Sequence, residues 1–163
     1  MQFIQEHTID KVVDRMAVKA NRLEQLIERL EHQQPVLLAY LFSEEFDFLT
    51  KTEREYMTYL AIVIWQSIVR EVGFVGRLES AVIGSCEERN WEVMKSVKAR
   101  NFRDRISPFF EDYAQEDLLA FVEDALIYEE EEPVVTTEGR EYVFIALKSI
   151  IDAFHASLKP AHR

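Results

Sequence analysis

Apolar residues recur every three or four positions along most of the chain, and this spacing predicts amphipathic α-helices. The pattern is broadest over residues 52–72, where apolar side chains cover more than half of a helical wheel: Met57, Leu60, Ala61, Ile62, Ile64, Trp65, Ile68, Val69 and Val72. Such a wide arc predicts a central helix that is buried on several sides. Thr52 and Glu55 have the spacing of a capping box at its start, and Gly73 is typical of a helix end.

A second wide apolar arc spans residues 137–158. It predicts a buried C-terminal helix, capped by Thr137, that packs against the central helix. Trp65 and Phe144 lie within the two arcs, so we expect both side chains to be almost fully buried.

The first helix is predicted to run from Thr8 to about Gln33. Its apolar residues form a heptad-like stripe: Ile9, Val13, Met16, Ala20, Leu23, Ile27 and Leu30. A stripe of this kind suits either packing inside the same bundle or the seam of a dimer. The sequence therefore leaves open a homodimer that forms through Leu23 and Leu30.

Shorter helical patterns fill most of the remaining chain, over residues 36–49, 77–88, 90–106 and about 115–128. Asn90 is expected to cap the third of these. The only stretch with β-propensity, residues 134–137, is short enough to be an extended linker. Six or seven helices joined by short connections predict an all-α, single-domain helical bundle over residues 1–163.

Composition narrows the class of protein. The formal charge is −11, which argues against nucleic-acid binding, because such binding requires lysine and arginine side chains that neutralise the phosphates. The single cysteine, Cys86, allows no internal disulfide and suits a reducing compartment. Residues 1–6 show no signal sequence, and no apolar run reaches the roughly 18 residues of a membrane helix. We therefore expect a cytoplasmic protein without membrane association.

The charge is distributed unevenly. Residues 89–105 hold six bases and two acids, whereas residues 111–132 hold ten acids and no base. The last four acids, Glu129, Glu130, Glu131 and Glu132, follow a predicted helix at the negative end of its dipole. Cations that compensate them are expected either from residues 89–105 or from outside the chain, as a basic partner or a divalent ion. The second alternative predicts a protein-binding module whose acidic surface contacts a protein with a basic surface.

The spacing of reactive residues predicts neither a catalytic site nor a metal or cofactor site. No Glu-x-x-His pair is present, and the four histidines and one cysteine are scattered. Gly84-Ser85-Cys86 lacks the second glycine and the preceding strand of a nucleophile elbow, so we interpret it as small residues at a helix crossing. Asp152 and His155 are expected on a solvated face beside Lys148. The chain is therefore interpreted as a binding protein rather than an enzyme.

One polar stripe leaves a second hypothesis open. Glu55, Tyr59, Gln66 and Arg70 share the side of the central helix opposite its apolar arc. They either face water or line a pocket, formed by Tyr59, Gln66 and Arg70, in which Arg70 binds an anion. The pocket alternative predicts a small-ligand sensor or enzyme. A cavity of roughly 300–1,000 Å³, the usual size of ligand sites, would favour it.

Overall fold

The computed structural model describes residues 1–127 and 135–158. Over these ranges the chain forms eight α-helices and two short 3₁₀ turns, without a β-strand. The helices are α1 (Glu6–Val18), α2 (Arg22–Gln33), α3 (Pro35–Leu41), α4 (Lys51–Val72), α5 (Ser80–Ser96), α6 (Phe102–Ile106), α7 (Glu116–Leu126) and α8 (Thr137–Ser157). The 3₁₀ turns are Glu44–Phe46 and Ser107–Phe110. The predicted all-α bundle is confirmed, with eight helices in the described ranges instead of six or seven.

The central helix α4 and the C-terminal helix α8 supply much of the core. Trp65 is 1% exposed and Phe144 is 0% exposed, so their predicted burial is confirmed. α8 packs chiefly on α5 and also contacts α4 and α7, while α1, α2 and α3 pack on α4. This coverage from several directions explains why the apolar arcs of α4 and α8 are so wide.

α4 begins two residues earlier than the predicted capping box of Thr52 and Glu55 implied. The box is formed by Thr50 and Glu53: the Glu53 amide donates to Thr50 Oγ1 (3.1 Å), and the Thr50 amide donates to Glu53 Oε1 (3.0 Å). The prediction that Thr52 and Glu55 cap α4 is wrong. The same Thr-x-x-Glu spacing occurs twice in this stretch, and only the first copy has a glutamate that is buried.

Glu53 also joins α4 to α8. Its Oε2 accepts hydrogen bonds from the Thr136 amide (2.9 Å) and from Thr136 Oγ1 (3.0 Å). Thr136, and not Thr137 as predicted, caps α8 by accepting from the Gly139 amide. Burial by itself would raise the pKa of Glu53, but the hydrogen bonds from Thr50 and Thr136 lower that pKa below its usual value.

The predicted first helix, residues 8–33, is broken into α1 and α2. Lys19 adopts an extended conformation (φ −113°, ψ 123°), and Val18 before it is 83% exposed. The prediction of one continuous helix is therefore wrong, and the two parts of the stripe pack separately into the core. Leu30 is fully buried inside the chain while Leu23 is only half-buried. The homodimer stays a prediction, without the continuous seam from which it was inferred.

The predicted helices 77–88 and 90–106 are divided differently in the structure. α5 runs without interruption through Asn90, which is buried in its middle. Asn90 is therefore not a helix cap, and its side chain instead forms hydrogen bonds with α8. Asn101 caps α6 by accepting from the Arg103 amide (2.9 Å). Local propensity predicted the correct residue type for an N-cap, but tertiary contacts decided which asparagine begins a helix.

Candidate functional site

α1, α2 and α4 surround a cavity of about 220 Å³ that opens to the surface. Each helix contributes residues that lie about one turn apart: Val12, Arg15 and Met16 from α1; Arg22, Leu26 and Arg29 from α2; Gln66, Val69 and Arg70 from α4. Residues three or four apart share one face of a helix, so each helix presents apolar and polar groups together. Four of the nine lining residues are arginines. We call this site the arginine cleft.

The four arginines have no acidic partner in the part of the chain that the structure describes. No carboxylate of residues 1–127 or 135–158 lies within 4.0 Å of their guanidinium nitrogens. Glu71, which follows the last of them in sequence, instead accepts hydrogen bonds from Thr8 Oγ1 and from Gln2 Nε2. Guanidiniums that converge on a concave site reinforce one another's positive field.

Three of the four arginines lie at helix ends, where their electrostatic environments differ. Arg15 and Arg70 lie in the last turns of α1 and α4, where the negative end of the dipole stabilises a cation. Arg22 is the first residue of α2, at the positive end of the dipole, and no side chain caps that end. An anion beside Arg22 would satisfy both the guanidinium and the helix amino terminus. The positive end of the dipole disfavours Arg22, whereas Glu24 in the same turn is favoured there.

A second cavity, of about 510 Å³, lies beside the arginine cleft. Arg29, Gln66 and Val69 line both cavities. The remaining walls of the second cavity come from the end of α2 and from the loop after α4: His32, Gln33, Gly73, Phe74, Val75, Gly76 and Arg77. Phe74 is 84% exposed, although aromatic side chains usually bury most of their surface.

The loop that carries Phe74 is anchored to the end of α2. Gln34, which is fully buried, donates from Nε2 to the Gly76 carbonyl (2.7 Å) and accepts at Oε1 from the Leu78 amide (2.9 Å). Arg77 donates to the His32 carbonyl (3.2 Å). These bonds hold residues 76–78, the part of the loop that follows Phe74, against the end of α2.

The structure brings together two of the three residues that were predicted to line a pocket. Gln66 and Arg70 line the arginine cleft. Tyr59 lies two turns earlier on α4 and does not line the cleft. It is half-buried and stacked on Tyr56, with ring centres 6.2 Å apart, and burial raises the pKa of its hydroxyl. Ligand binding by these residues stays a prediction.

Arg15, Arg22 and Arg29 were not recognised from the sequence. They are spaced seven residues apart in sequence; Arg22 and Arg29 share a face of α2, whereas Arg15 lies on α1, before the break at Lys19. This regular interval was an available signal for a basic face. The sequence did not show that α1 and α2 would pack beside the end of α4 and so place Arg70 against the same cavity.

The four predicted partner-surface residues, Glu129 to Glu132, lie outside the described residues. In the rest of the acidic segment, residues 111–127, no arginine or lysine of the described chain comes within 4.0 Å of an acid. Asp117 accepts from the Glu6 amide (2.9 Å), which ties α7 to the start of α1. Burial raises the pKa of Glu123, and the nearby Arg103 opposes this effect. Internal compensation of the described acids is therefore slight.

Lys148 belongs to a buried polar network that the sequence did not indicate. It pairs with Asp152 (2.8 Å) and donates to Asn90 Oδ1 (2.9 Å), and it is only 8% exposed. The expectation of a solvated ion pair is wrong, because α5 and the segment before α7 cover this face. Tyr113 donates to Asp152 Oδ1 (2.6 Å). Burial also raises the pKa of Cys86, which favours the unreactive neutral thiol.

A third cavity, of about 510 Å³, has a mostly apolar lining that includes Leu23, Ile27 and Phe42. The cations at its edge already have partners: Lys51 pairs with Glu55 at 3.9 Å, and Arg54 pairs with Asp47 at 2.9 Å. This cavity offers burial but few directional groups to select a ligand. The arginine cleft is therefore the better candidate for specific recognition.

Neither protein-family models, nor curated proteins, nor solved structures match this chain. Within the described ranges, no cluster of three or more His, Cys, Asp or Glu side chains has the arrangement of a metal site. None of the helices found there is long and apolar enough to cross a bilayer. The function must therefore be inferred from the geometry and charge of the cleft itself.

Proposed function

We propose that the protein binds a small anionic ligand in the arginine cleft. The observation that carries this proposal is the convergence of four arginines from three helices on one cavity, without a described carboxylate beside them. Guanidiniums bind phosphate and carboxylate groups through two parallel hydrogen bonds, so a set of them provides both affinity and orientation. Arg15, Arg29 and Arg70 are exposed and Arg22 is half-buried, so an anion from solution can reach each guanidinium.

Binding is favoured over catalysis by the chemistry of the lining. Valine, methionine, leucine, glutamine and arginine make up the wall of the first cavity, and none of these acts readily as a nucleophile or general base. The same wall can hold an anion through charge and exclude water through its apolar residues. We therefore favour a sensor or carrier of an anionic small molecule over an enzyme.

A small ligand is favoured over a nucleic-acid strand. The chain has a formal charge of −11, which would repel the many phosphates that a strand carries beyond those in the cleft. The basic groups also converge on a cavity and do not form an extended stripe. A compact anion gains the local attraction and avoids most of the long-range repulsion, because salt screens charges beyond about 10 Å.

Calorimetric titration with phosphate, pyrophosphate, sulfate and citrate tests the proposal. Arg29→Gln and Arg70→Gln remove one charge each from the cleft, and Arg100→Gln removes one exposed charge elsewhere. Each cleft variant should weaken binding of the preferred anion about tenfold, since a hydrogen bond to a charged group contributes roughly 1.5–3 kcal/mol. Arg100→Gln should leave affinity unchanged. Equal affinity in all variants, or no binding of any anion, would refute an anion site.

The acidic segment is a second proposal. Glu111, Asp112, Glu116 and Asp124 are exposed, and no described arginine or lysine pairs with them, so they are free to attract a protein with a basic surface. Changing Glu111, Glu116 and Asp124 to their amides should reduce binding to an immobilised lysine-rich peptide. The arginine-cleft variants should not affect that binding. Retention of the peptide by the amide variant would argue against this surface.

A further inference from the structure

We propose that the ligand of the arginine cleft is a nucleotide with two or more phosphates, whose base stacks on Phe74. This inference rests on the proposed function, because it names the ligand class for the same cleft. It is drawn from two neighbouring cavities that share lining residues and differ in size and in lining chemistry.

The arginine cleft suits a chain of phosphates. Its volume of about 220 Å³ is below the roughly 300–1,000 Å³ of sites for drug-sized ligands, so it fits a compact and highly charged group. Arg15, Arg22 and Arg70 approach from three different helices. A single carboxylate has too few oxygens to engage all of them, whereas two or three phosphates offer an acceptor to each guanidinium.

The second cavity, beside the loop that carries Phe74, suits a nucleobase. Its volume of about 510 Å³ lies within the usual range of ligand sites, and Phe74 presents a ring that is 84% exposed. Bases stack on exposed aromatic rings because every base has a flat π-face. An added Cβ at Gly73 or Gly76 would meet no atom within 4 Å, so the loop backbone borders open space beside the ring. Nearby polar side chains, His32 and Gln33, can bind ribose or base edges.

The arginine cleft and the second cavity share part of their lining. Arg29, Gln66 and Val69 belong to both cavities, so one ligand can extend from the arginines to Phe74. Gln34 bonds to Gly76 and Leu78, the loop residues that follow Phe74, and so holds that part of the loop against the end of α2. Inorganic polyphosphate shares the phosphate chemistry but has no group for the second cavity. That difference separates the two ligand classes by experiment.

The test is calorimetric titration of the full chain with ATP, ADP, GTP, adenosine and pyrophosphate, in buffer without divalent cations. We expect nucleotides to bind about tenfold or more tightly than pyrophosphate, because stacking adds to the phosphate contacts. Adenosine should bind far more weakly than ATP. Phe74→Ala should remove the advantage of ATP over pyrophosphate and leave pyrophosphate affinity unchanged. Phe42→Ala, which shortens another exposed aromatic outside both cavities, is the matched control.

The outcomes separate this inference from the proposed function. If pyrophosphate binds and nucleotides bind no more tightly, the nucleotide is excluded while the anion site stands. If the advantage of ATP survives Phe74→Ala, stacking on Phe74 is excluded. If neither nucleotides nor any simple anion bind, both proposals fail. Phe74 is largely exposed, so its replacement should leave the fold intact, and a thermal melt of each variant verifies this.

Discussion

Replacing Glu53 by alanine should destabilise the protein strongly, because one carboxylate fastens the start of α4 to the start of α8. The carboxylate accepts three hydrogen bonds: one from the Thr50 amide, and two from the amide and hydroxyl of Thr136. Hydrogen bonds to charged groups contribute roughly 1.5–3 kcal/mol each, and neighbouring bonds are not additive. We therefore expect a loss of about 3–5 kcal/mol in the free energy of unfolding. For a domain of this size that corresponds to roughly 6–20 °C in Tm.

Urea denaturation monitored by circular dichroism measures this loss, and Glu55→Ala is the matched control. Glu55 is exposed, and its ion pair with Lys51 spans 3.9 Å, so its removal should change stability by less than about 0.5 kcal/mol. A similar loss in both variants, or none in Glu53→Ala, would show that Glu53 does not cap α4.

The lowered pKa of Glu53 adds a pH signature. A carboxyl group with a lowered pKa in the folded state stabilises the protein above its unfolded pKa, about 4.3, and loses this contribution as the pH falls through the folded value. Glu53→Gln cannot ionise, so wild type should exceed it in stability at pH 7. The difference should shrink as the solution becomes more acidic than pH 4. A constant difference between pH 7 and pH 3 would contradict this linkage.

Three further predictions concern Trp65, Lys148 and Glu45. Trp65→Ala should cost about 3–5 kcal/mol because the side chain is fully buried, and a Tm within a degree or two of wild type would contradict its position in the core. Lys148→Met should cost about 3 kcal/mol by leaving the partly buried Asp152 without its cation, and adding Asp152→Asn should recover part of that loss in denaturant titrations. Burial and the nearby Glu87 raise the pKa of Glu45 to about 7, so ionisation of Glu45 reduces stability as the pH rises from about 4.5 to 7. Glu45→Gln should therefore raise Tm at pH 8 and have less effect at pH 4, and a lower Tm at pH 8 would oppose this assignment.

The buried faces of the long helices were predictable because they depend on short-range periodicity. The arcs that contain Trp65 and Phe144 are each visible within one helix, and the burial of both residues is confirmed. Helix ends were less predictable, because several residues in a stretch can have the correct spacing. Both Thr50 and Thr52 are followed three residues later by glutamate, and the contact of Glu53 with Thr136 in α8 favours the first.

The candidate site was only partly predictable. Gln66 and Arg70 were visible because they share one stripe of one helix, whereas Tyr59 in the same stripe is occupied by stacking on Tyr56. The buried position of Lys148 could not be inferred from its helix alone. That face of α8 looks polar in sequence, and the packing of α5 and of the segment before α7 removes most of the ion pair from water.

The sequence by itself determined the all-α class and the two most buried helices, since hydrophobic periodicity is a local property that selects secondary structure and its buried face. Only the tertiary structure decided where α1 ends, which glutamate caps α4 and which arginines share a cavity. Those features depend on contacts between helices far apart in sequence, whose free energy exceeds the small differences in local propensity. The arginine cleft is of this second kind, because no single helix contains it.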